Sequence, residues 1–382
     1  MLEEFVCVRV DVDQQPDIAS KHAAKAMPDL RLCDPDGKEL QQLLGFSSPE
    51  RLLREGQRVL DRLAGRAVAA PAAEVGRRSV EATPAAIASA VAAGCTFLER
   101  QAQKDGAQDA AQGGAQGDGI AGRDDAMLLG LVCGGRAGGE PCRGLLQRVL
   151  AAPLTGTYQA AFRAMALARL DARAHRQALE ECLRFLVDAQ LADGSWSYGS
   201  DRAAGGDRSN SAYALLGVDA CARAGLGIAG GVVQRAGRSW CAAQNPDGGF
   251  GYRKDREADS YASMTESGIA SLLLCRRLGV ADADADAAIA RGKGWLAAHA
   301  SVDANTGSAY QQGRLLYHLY ALERAGSLLR VDRFGELEWH ARGAAALLGS
   351  QREDGSWDDG ADMPAANTVF ALLFLLRATK SD

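Results

Sequence analysis

A single acidic residue, Glu266, interrupts the apolar segment TESGIASLLLC, which has the composition of a buried helix. A carboxylate among apolar side chains loses its hydration, so it needs either a partner or a chemical task. We therefore predict that Glu266 is the first candidate for a catalytic acid. Asp259, shortly before it in the chain, is the second candidate.

Further polar side chains fall at or near the N-termini of predicted apolar helices. A helix N-terminus carries partial positive charge and unpaired N–H groups, so several of them at one mouth favour a polar ligand group. For Asp207, Asp259 and Asn367 the alternative is that they only cap helices. The predicted ligand-binding residues are Asp207, Asn210, Tyr213, Tyr261, Tyr310, Gln311, Tyr317 and Asn367.

An internal repeat must position these residues. Three segments share a helix end, a glutamine, an Asp-Gly pair and an aromatic residue: FLVDAQLADGSW, WCAAQNPDGGF and LLGSQREDGSW. The spacing between the second and third is close to twice that between the first and second, and the degenerate WLAAHASVDANTGS supplies the missing copy. A period of about 50 residues is typical of repeat architectures.

The residues that recur in each repeat indicate a structural role. Asp-Gly forms a tight turn with positive φ, the aromatic ring covers the helix end, and the glutamine amide pairs with backbone groups left open there. We predict this role for Gln190, Trp196, Gln244, Gln351 and Trp357.

One apolar helix precedes each turn and another follows it, which predicts six helix hairpins. A hairpin of this kind cannot bury both faces, so neighbours cover it, and six units close into a ring. The more continuously apolar second helices form the inner ring. The predicted first helices are 84–101, 141–151, 174–190, 230–244, 284–299 and 338–351, and the second ones 124–133, 155–170, 209–223, 263–278, 309–325 and 364–378.

The Gln-x-x-Asp-Gly-x-Trp pattern resembles the QW motif of squalene-hopene and related cyclases. The segment GGFGYRKDREADSYASMTESGIASLLL is similar to repeats of protein prenyltransferase β subunits. The resemblance covers residues 84 to 378 and implies an (α/α)6 toroid in a mainly α protein. It also implies an apolar, isoprenoid-like ligand in a central cavity.

The chain lacks the catalytic motifs of both families. No acidic D-x-D-D cluster begins an inner helix, and the strings DADAD and DDGAD fall in predicted loops, where solvent keeps carboxylates ionised. Where prenyltransferases hold zinc, Asp259 matches the aspartate but Tyr261 replaces the cysteine, and the last inner helix lacks the histidine. We expect no metal and no cofactor.

The segment GRLLYHLYALERAG carries Tyr317 and Tyr320 on one predicted inner helix. An aromatic lining for an apolar ligand is one interpretation, and ordinary core packing is the other.

The first 64 residues read as strand, helix, proline break, hairpin and helix, and resemble the second half of a thioredoxin domain. The resemblance puts a cis-proline at Pro28. The family's CxxC would precede this point, and the chain contains no CxxC, so redox activity is not expected. We predict a truncated thioredoxin-like segment at 1–64, a linker at 65–83 and the toroid at 84–382.

Composition narrows the classes of partner. The net charge of -5 offers no basic surplus for a nucleic acid, and no apolar stretch is long enough to span a bilayer. The N-terminus lacks a secretory signal, which predicts a cytoplasmic location. Residues 104–123, rich in Gly, Gln and Asp, are predicted to form a surface loop.

Three hypotheses of function remain open. The first is a toroid without assigned activity that binds an apolar, isoprenoid-like molecule or a peptide. The second is an active terpenoid cyclase or transferase whose acid is Glu266 or Asp259. The third is an interaction scaffold that binds a protein partner through the N-terminal segment and the outer ring.

Overall fold

The computed structural model describes residues 29–34, 39–44, 56–57, 59–60, 80–112, 122–199, 205–253, 258–280, 282–307, 314–359 and 363–379. The chain divides into two compact units, residues 1–76 with 360–362, and residues 77–359 with 363–382. The predicted domain boundaries at 64 and 83 stay a prediction.

The first unit contains the predicted hairpin. Strand β1 (Asp29–Cys33) pairs antiparallel with β2 (Glu39–Leu44), with Arg31 opposite Gln42. Pro28 and the segment before it lie outside the described residues, so the thioredoxin-like assignment is not tested.

The second unit contains twelve helices among its described residues, which form six consecutive hairpins. Helices with odd numbers come first in each hairpin and those with even numbers second. They are α1 (Pro84–Gln112), α2 (Arg123–Cys133), α3 (Glu140–Ala151), α4 (Thr157–Asp171), α5 (Arg176–Asp188), α6 (Arg208–Arg223), α7 (Gly230–Ala243), α8 (Ala262–Arg277), α9 (Ala283–His299), α10 (Leu315–Leu329), α11 (Trp339–Ser350) and α12 (Pro364–Leu375).

The even-numbered helices form a closed inner ring. Each contacts the next in the order α2, α4, α6, α8, α10 and α12, and α12 contacts α2 again. They are buried on nearly every face, as in α8 from Ala262 to Leu272, whereas the odd-numbered helices bury one stripe. The predicted mainly α fold, with its ring of six hairpins, is confirmed.

The repeat glutamines pair with backbone groups of their own turns, as predicted, and they also bind each turn to the next hairpin, which the sequence did not predict. Each Nε2 donates both to a carbonyl of its own turn and to a carbonyl of the following outer helix. Gln351 does so to α1 and thereby joins the last repeat to the first. The contacts to the next helix are Gln190 to Val232 O at 3.0 Å, Gln244 to Ala288 O at 2.7 Å and Gln351 to Ala90 O at 2.9 Å.

The turn glycines and the tryptophans also act as predicted. Gly194, Gly248 and Gly355 have φ of 85°, 91° and 89°, a region that disfavours residues with a Cβ. The indole Nε1 of Trp196 donates to Leu186 O at 2.7 Å, and Trp357 does the same to Leu347 O at 2.8 Å.

Three predicted boundaries were wrong. Helix α1 continues to Gln112, into the segment predicted as a loop, because its Ala and Gln residues are good helix formers. The string DADAD is not a loop, since Asp282 caps α9 by accepting from the backbone N of Asp284. Helix α10 ends at Leu329 and not at residue 325. The next residue, Arg330, adopts a left-handed conformation with φ of 56°.

Candidate functional site

Glu266 lies on α8 and its side chain is fully buried in the inner ring. Its Oε2 is 3.0 Å from Nδ1 of His318 on the neighbouring helix α10. The other ring nitrogen of His318, Nε2, is 2.8 Å from the carbonyl oxygen of Ser301, which can only accept a hydrogen bond. Nε2 therefore carries a proton, and a second proton is shared between Nδ1 and Oε2.

Both members of this pair hold protons more tightly than usual. Burial raises the pKa of Glu266 above its ordinary value of 4.5, although the positive charges of His318 and Arg324 oppose the rise. Burial lowers the pKa of His318, but Glu266 and the Ser301 carbonyl outweigh this, so the pKa lies above its ordinary 6.5. The second oxygen of Glu266, Oε1, is buried without a hydrogen-bond partner. A carboxyl group that keeps its proton in a buried site has the chemistry that a general acid needs.

Arg324, also on α10, is a buried positive charge with few partners. It is 1% exposed, and its Nη2 donates to Oγ of Ser267 at 3.2 Å. Its guanidinium Cζ lies 4.9 Å from the ring centroid of Tyr213 and 4.7 Å from that of Tyr320. The rings cover the guanidinium, while Nε and Nη1 have no hydrogen-bond partner.

Tyrosine rings connect Arg324 with the surface. Tyr213 on α6 packs against Tyr158 on α4, with centroids 4.4 Å apart, and against Tyr317 on α10 at 6.1 Å. Tyr158 stacks at 6.0 Å on Tyr198, which is 57% exposed. Tyr158 and Tyr317 are partly buried, whereas Tyr213 is fully buried. We call Tyr198, Tyr158, Tyr213 and Tyr317 the aromatic path.

Several polar atoms around the inner end of this path lack partners. The hydroxyls of Tyr213 and Tyr317 are buried without a well-formed hydrogen bond, like Glu266 Oε1 and two nitrogens of Arg324. Arg324 is nevertheless close enough to the Tyr213 hydroxyl, and Tyr158 and Ser267 to the Tyr317 hydroxyl, to act against the rise of their pKa values. We call these four side chains the unpaired cluster. Buried polar groups are nearly always hydrogen-bonded in native proteins, so such a cluster calls for a bound molecule or water.

Asp207 and Asn210 are hydrogen-bonded to each other at the N-terminus of α6, and Asn210 Oδ1 is buried without a partner. Asp207 caps α6, because its carboxylate accepts from the backbone N and the Nδ2 of Asn210, both at 2.8 Å. Ser209 Oγ donates to the same carboxylate at 2.7 Å. The capping alternative is therefore confirmed for Asp207.

The structure places three of the remaining predicted residues on or before two other inner helices. Asn367 is buried on α12, where its Nδ2 donates to Asp359 Oδ1 at 2.9 Å and so holds the preceding loop. Asp259 is exposed on the loop before α8, and Tyr261, at the start of that helix, is buried. Two others, Tyr310 and Gln311, lie outside the described residues.

Sequence reasoning missed His318 and Arg324. The signal that singled out Glu266, a charged side chain in an apolar helix, is also present in LLYHLYALERAGSLL. The same criterion would have identified His318 and Arg324, because burying either side chain without a partner costs free energy.

Two cavities lie outside the inner ring. The larger, about 420 Å³, lies between α8, α9 and α10 and is lined by Leu273, Ile289, Ala290 and Leu328, with Arg276, Asp286, Lys293 and Leu329. Among the described residues, no cluster of three His, Cys, Asp or Glu side chains has the proximity to hold a metal. None of the described helices has the length and apolar character that crossing a bilayer requires.

No family model and no curated protein matches the chain. Among solved structures, ent-copalyl diphosphate synthase from Streptomyces platensis is similar over 53% of this chain, with 21% identity and a TM-score of 0.42. The match spans 40% of the synthase's own length.

The type II terpene cyclase MstE from Scytonema is similar over 59% of this chain and 89% of its own, with 14% identity and a TM-score of 0.29. A variant of that cyclase, in complex with its substrate geranylgeranyl dihydroxybenzoate, gives 13% identity and a TM-score of 0.31 over 67% of this chain and 97% of its own. These similarities are to terpenoid cyclases, as the repeats predict, and they concern the fold alone.

Proposed function

We propose that the interior of the inner ring binds an apolar, isoprenoid-like molecule, which enters along the aromatic path. The observation that carries the proposal is the unpaired cluster at the inner end of that path. Small-molecule sites in proteins are walled by apolar and aromatic side chains and contain a few converging polar groups. The tyrosine rings and the unpaired cluster have this composition.

Binding requires movement of the rings. The centroids of Tyr158 and Tyr213 are 4.4 Å apart, which is direct contact, so a ligand must separate them. Rotamer changes of interface side chains are common when a ligand binds. The partial exposure of Tyr158 and Tyr317 supports an approach of the ligand from their side.

The test uses the full chain and a C20 polyprenyl alcohol. We expect a one-to-one complex in native mass spectrometry, a rise in melting temperature, and slower hydrogen exchange in the peptides that contain Tyr158 and Tyr317. Ser271 is buried one turn after Ser267 on the same face of α8, so Ser271→Phe should obstruct the interior and prevent binding. Ala290→Trp fills the cavity between α8, α9 and α10 and should leave binding unchanged.

Two results would contradict this proposal. One is the absence of any complex with the wild-type chain. The other is loss of binding in Ala290→Trp but not in Ser271→Phe, which would move the ligand to the outer cavity. If Ser271→Phe does not fold, the hydrogen-exchange pattern of the wild-type chain distinguishes the two places.

A second candidate function is acid-initiated cyclisation, with Glu266 as the acid. Its support is the proton-sharing contact with His318 together with the unpartnered Oε1. Protonated Glu266 would give its proton to a carbon–carbon double bond, forming a C–H bond and a cation. Ring closure would consume further double bonds, and loss of a proton to a base would end the reaction.

For this second candidate we expect an isomer of the polyprenyl substrate, with unchanged mass, on gas chromatography. Glu266→Gln should abolish turnover and retain binding. Glu323→Gln is the matched control, since Glu323 is equally buried but is held by Ser327 and Thr379. Absence of product from the wild-type chain would exclude the cyclase function and leave the binding proposal standing.

A further inference from the structure

Arg324 has an excess of unused hydrogen-bond donors. A guanidinium carries five N–H donors and remains charged at any pH at which the protein folds. One nitrogen of Arg324 donates to Ser267 Oγ, and the other two have no partner. The aromatic rings of Tyr213 and Tyr320 lie against it, so the free donors can be reached only in the guanidinium plane.

The nearby carboxyl groups do not fully neutralise the positive charge of Arg324. Glu266 is close enough for its pKa to be lowered by Arg324, but the two form no ion pair within the inner ring, and Glu266 already shares a proton with His318. Glu323, the preceding residue, directs its carboxyl to Ser327 and Thr379 instead. One positive charge in the ring interior is thus left without a direct counterion.

We propose that the ligand of the ring interior carries a carboxylate and that Arg324 binds it. This inference rests on the proposed function. Carboxylate oxygens accept in-plane hydrogen bonds from a guanidinium, and the pairing is strongest where water is excluded. The hydroxyls of Tyr213 and Tyr317 are further donors beside the same site. A single guanidinium near the Glu266 carboxyl suits one negative charge rather than the several of a diphosphate.

The experiment compares four C20 probes on the full chain at pH 7.5: a polyprenyl carboxylic acid, its methyl ester, the alcohol and the diphosphate. Dissociation constants are measured by quenching of tyrosine and tryptophan fluorescence. We expect the acid to bind at least about tenfold more tightly than the ester and the diphosphate, because charge-assisted hydrogen bonds add to the shared apolar contacts.

Arg324→Met should bind the acid and the ester equally, with ester affinity close to that of the wild-type chain. Arg324→Lys keeps the charge without the planar fork and should retain only part of the preference. Arg342→Met removes an exposed arginine of α11 and serves as the control, with the preference unchanged.

The outcomes separate this inference from the proposed function. Equal binding of acid and ester by the wild-type chain, the result expected if water alone occupies the cluster, would overturn the carboxylate assignment and retain the apolar site. Tightest binding of the diphosphate would overturn it too. If no probe binds, both proposals fail. The comparison among probes uses the wild-type chain, so it holds even if Arg324→Met does not fold.

Discussion

Two buried arginines occupy opposite sides of the inner ring and differ in their partners. Arg163 on α4 is 5% exposed, and its Nε donates to Asp125 Oδ1 at 2.7 Å, while Nη1 donates to Ala152 O at 2.9 Å. Arg324 on α10 is 1% exposed and has one hydrogen bond, to Ser267. Helices α4 and α10 are separated by two inner helices in either direction around the ring.

The difference distinguishes structural from functional burial of charge. Burial raises the pKa of Asp125 to about 6, and Arg163 opposes this rise, so above pH 7 the two form an ion pair that joins α2 to α4. Removing one partner of such a pair leaves the other charge buried without a counterion, which destabilises the fold. Arg324 forms no direct ion pair with a carboxylate, so we expect its removal to leave no buried anion without its counterion. We interpret Arg324 as retained for a ligand.

The largest expected effect is on the paired arginine. Arg163→Met should lower the free energy of unfolding by about 3–5 kcal/mol at pH 8, because Asp125 is then buried as an unpaired anion. The loss should be smaller at pH 5, where Asp125 can be protonated. Urea unfolding monitored by circular dichroism measures both values. A loss below 1 kcal/mol at pH 8 would contradict the structural role.

The next effect concerns Glu323, the buried acid beside Arg324. Burial raises its pKa from the ordinary 4.5 to about 7. The folded chain therefore holds this proton more tightly than the unfolded chain, and the resulting stability is complete below pH 4.5 and disappears as the pH rises through about 7. The expected difference is about 3 kcal/mol.

Glu323→Gln should remove this contribution. The wild-type chain should lose about 2–3 kcal/mol more stability between pH 5 and pH 8 than the variant does, when both are unfolded in urea. Asp125, Glu266 and His318 also have raised pKa values and remain in both proteins. Identical pH profiles of the two proteins would rule out the raised pKa of Glu323.

Arg324→Met should change the free energy of unfolding less than Arg163→Met does. A small change would indicate that Arg324, unlike Arg163, is not needed for stability. The variant loses two cation–π contacts and one hydrogen bond but no longer buries an unpaired charge. Its free energy of unfolding without ligand should equal that of the wild-type chain within about 1 kcal/mol, or exceed it. A loss of 3 kcal/mol or more would place Arg324 with Arg163 as a structural residue.

The smallest effect on stability is expected for Tyr213→Phe. The hydroxyl of Tyr213 has no hydrogen-bond partner, so its removal should change the free energy of unfolding by less than about 0.5 kcal/mol. The same substitution should weaken binding of the C20 acid several-fold and leave the ester unaffected.

Local features were predictable wherever neighbouring residues decide them. Gly194, Gly248 and Gly355 adopt the positive φ expected of Asp-Gly turns. For Glu266 the sequence indicated that a partner was needed, yet not which one. His318 follows it by 52 residues and meets it only because α8 and α10 are neighbours in the ring.

Asp207 and Asp259 show that the sequence could not decide which aspartates cap helices. Both are aspartates shortly before an inner helix, and capping was an open alternative for each. Asp207 is buried and caps α6, whereas Asp259 is exposed, and the N-cap residue of α8 is Tyr261, which makes no side-chain cap. Loop packing separates the two, and residue type carries no information about it.

The sequence by itself determined the repeat, the turns and the ring, because apolar periodicity and turn chemistry act between residues close together in the chain. Only the tertiary structure decided which buried charges are paired. Arg163 and Arg324 are the same residue type on equivalent apolar helices. Whether a carboxylate faces them depends on the orientation of neighbouring helices, which is set by packing around the whole ring.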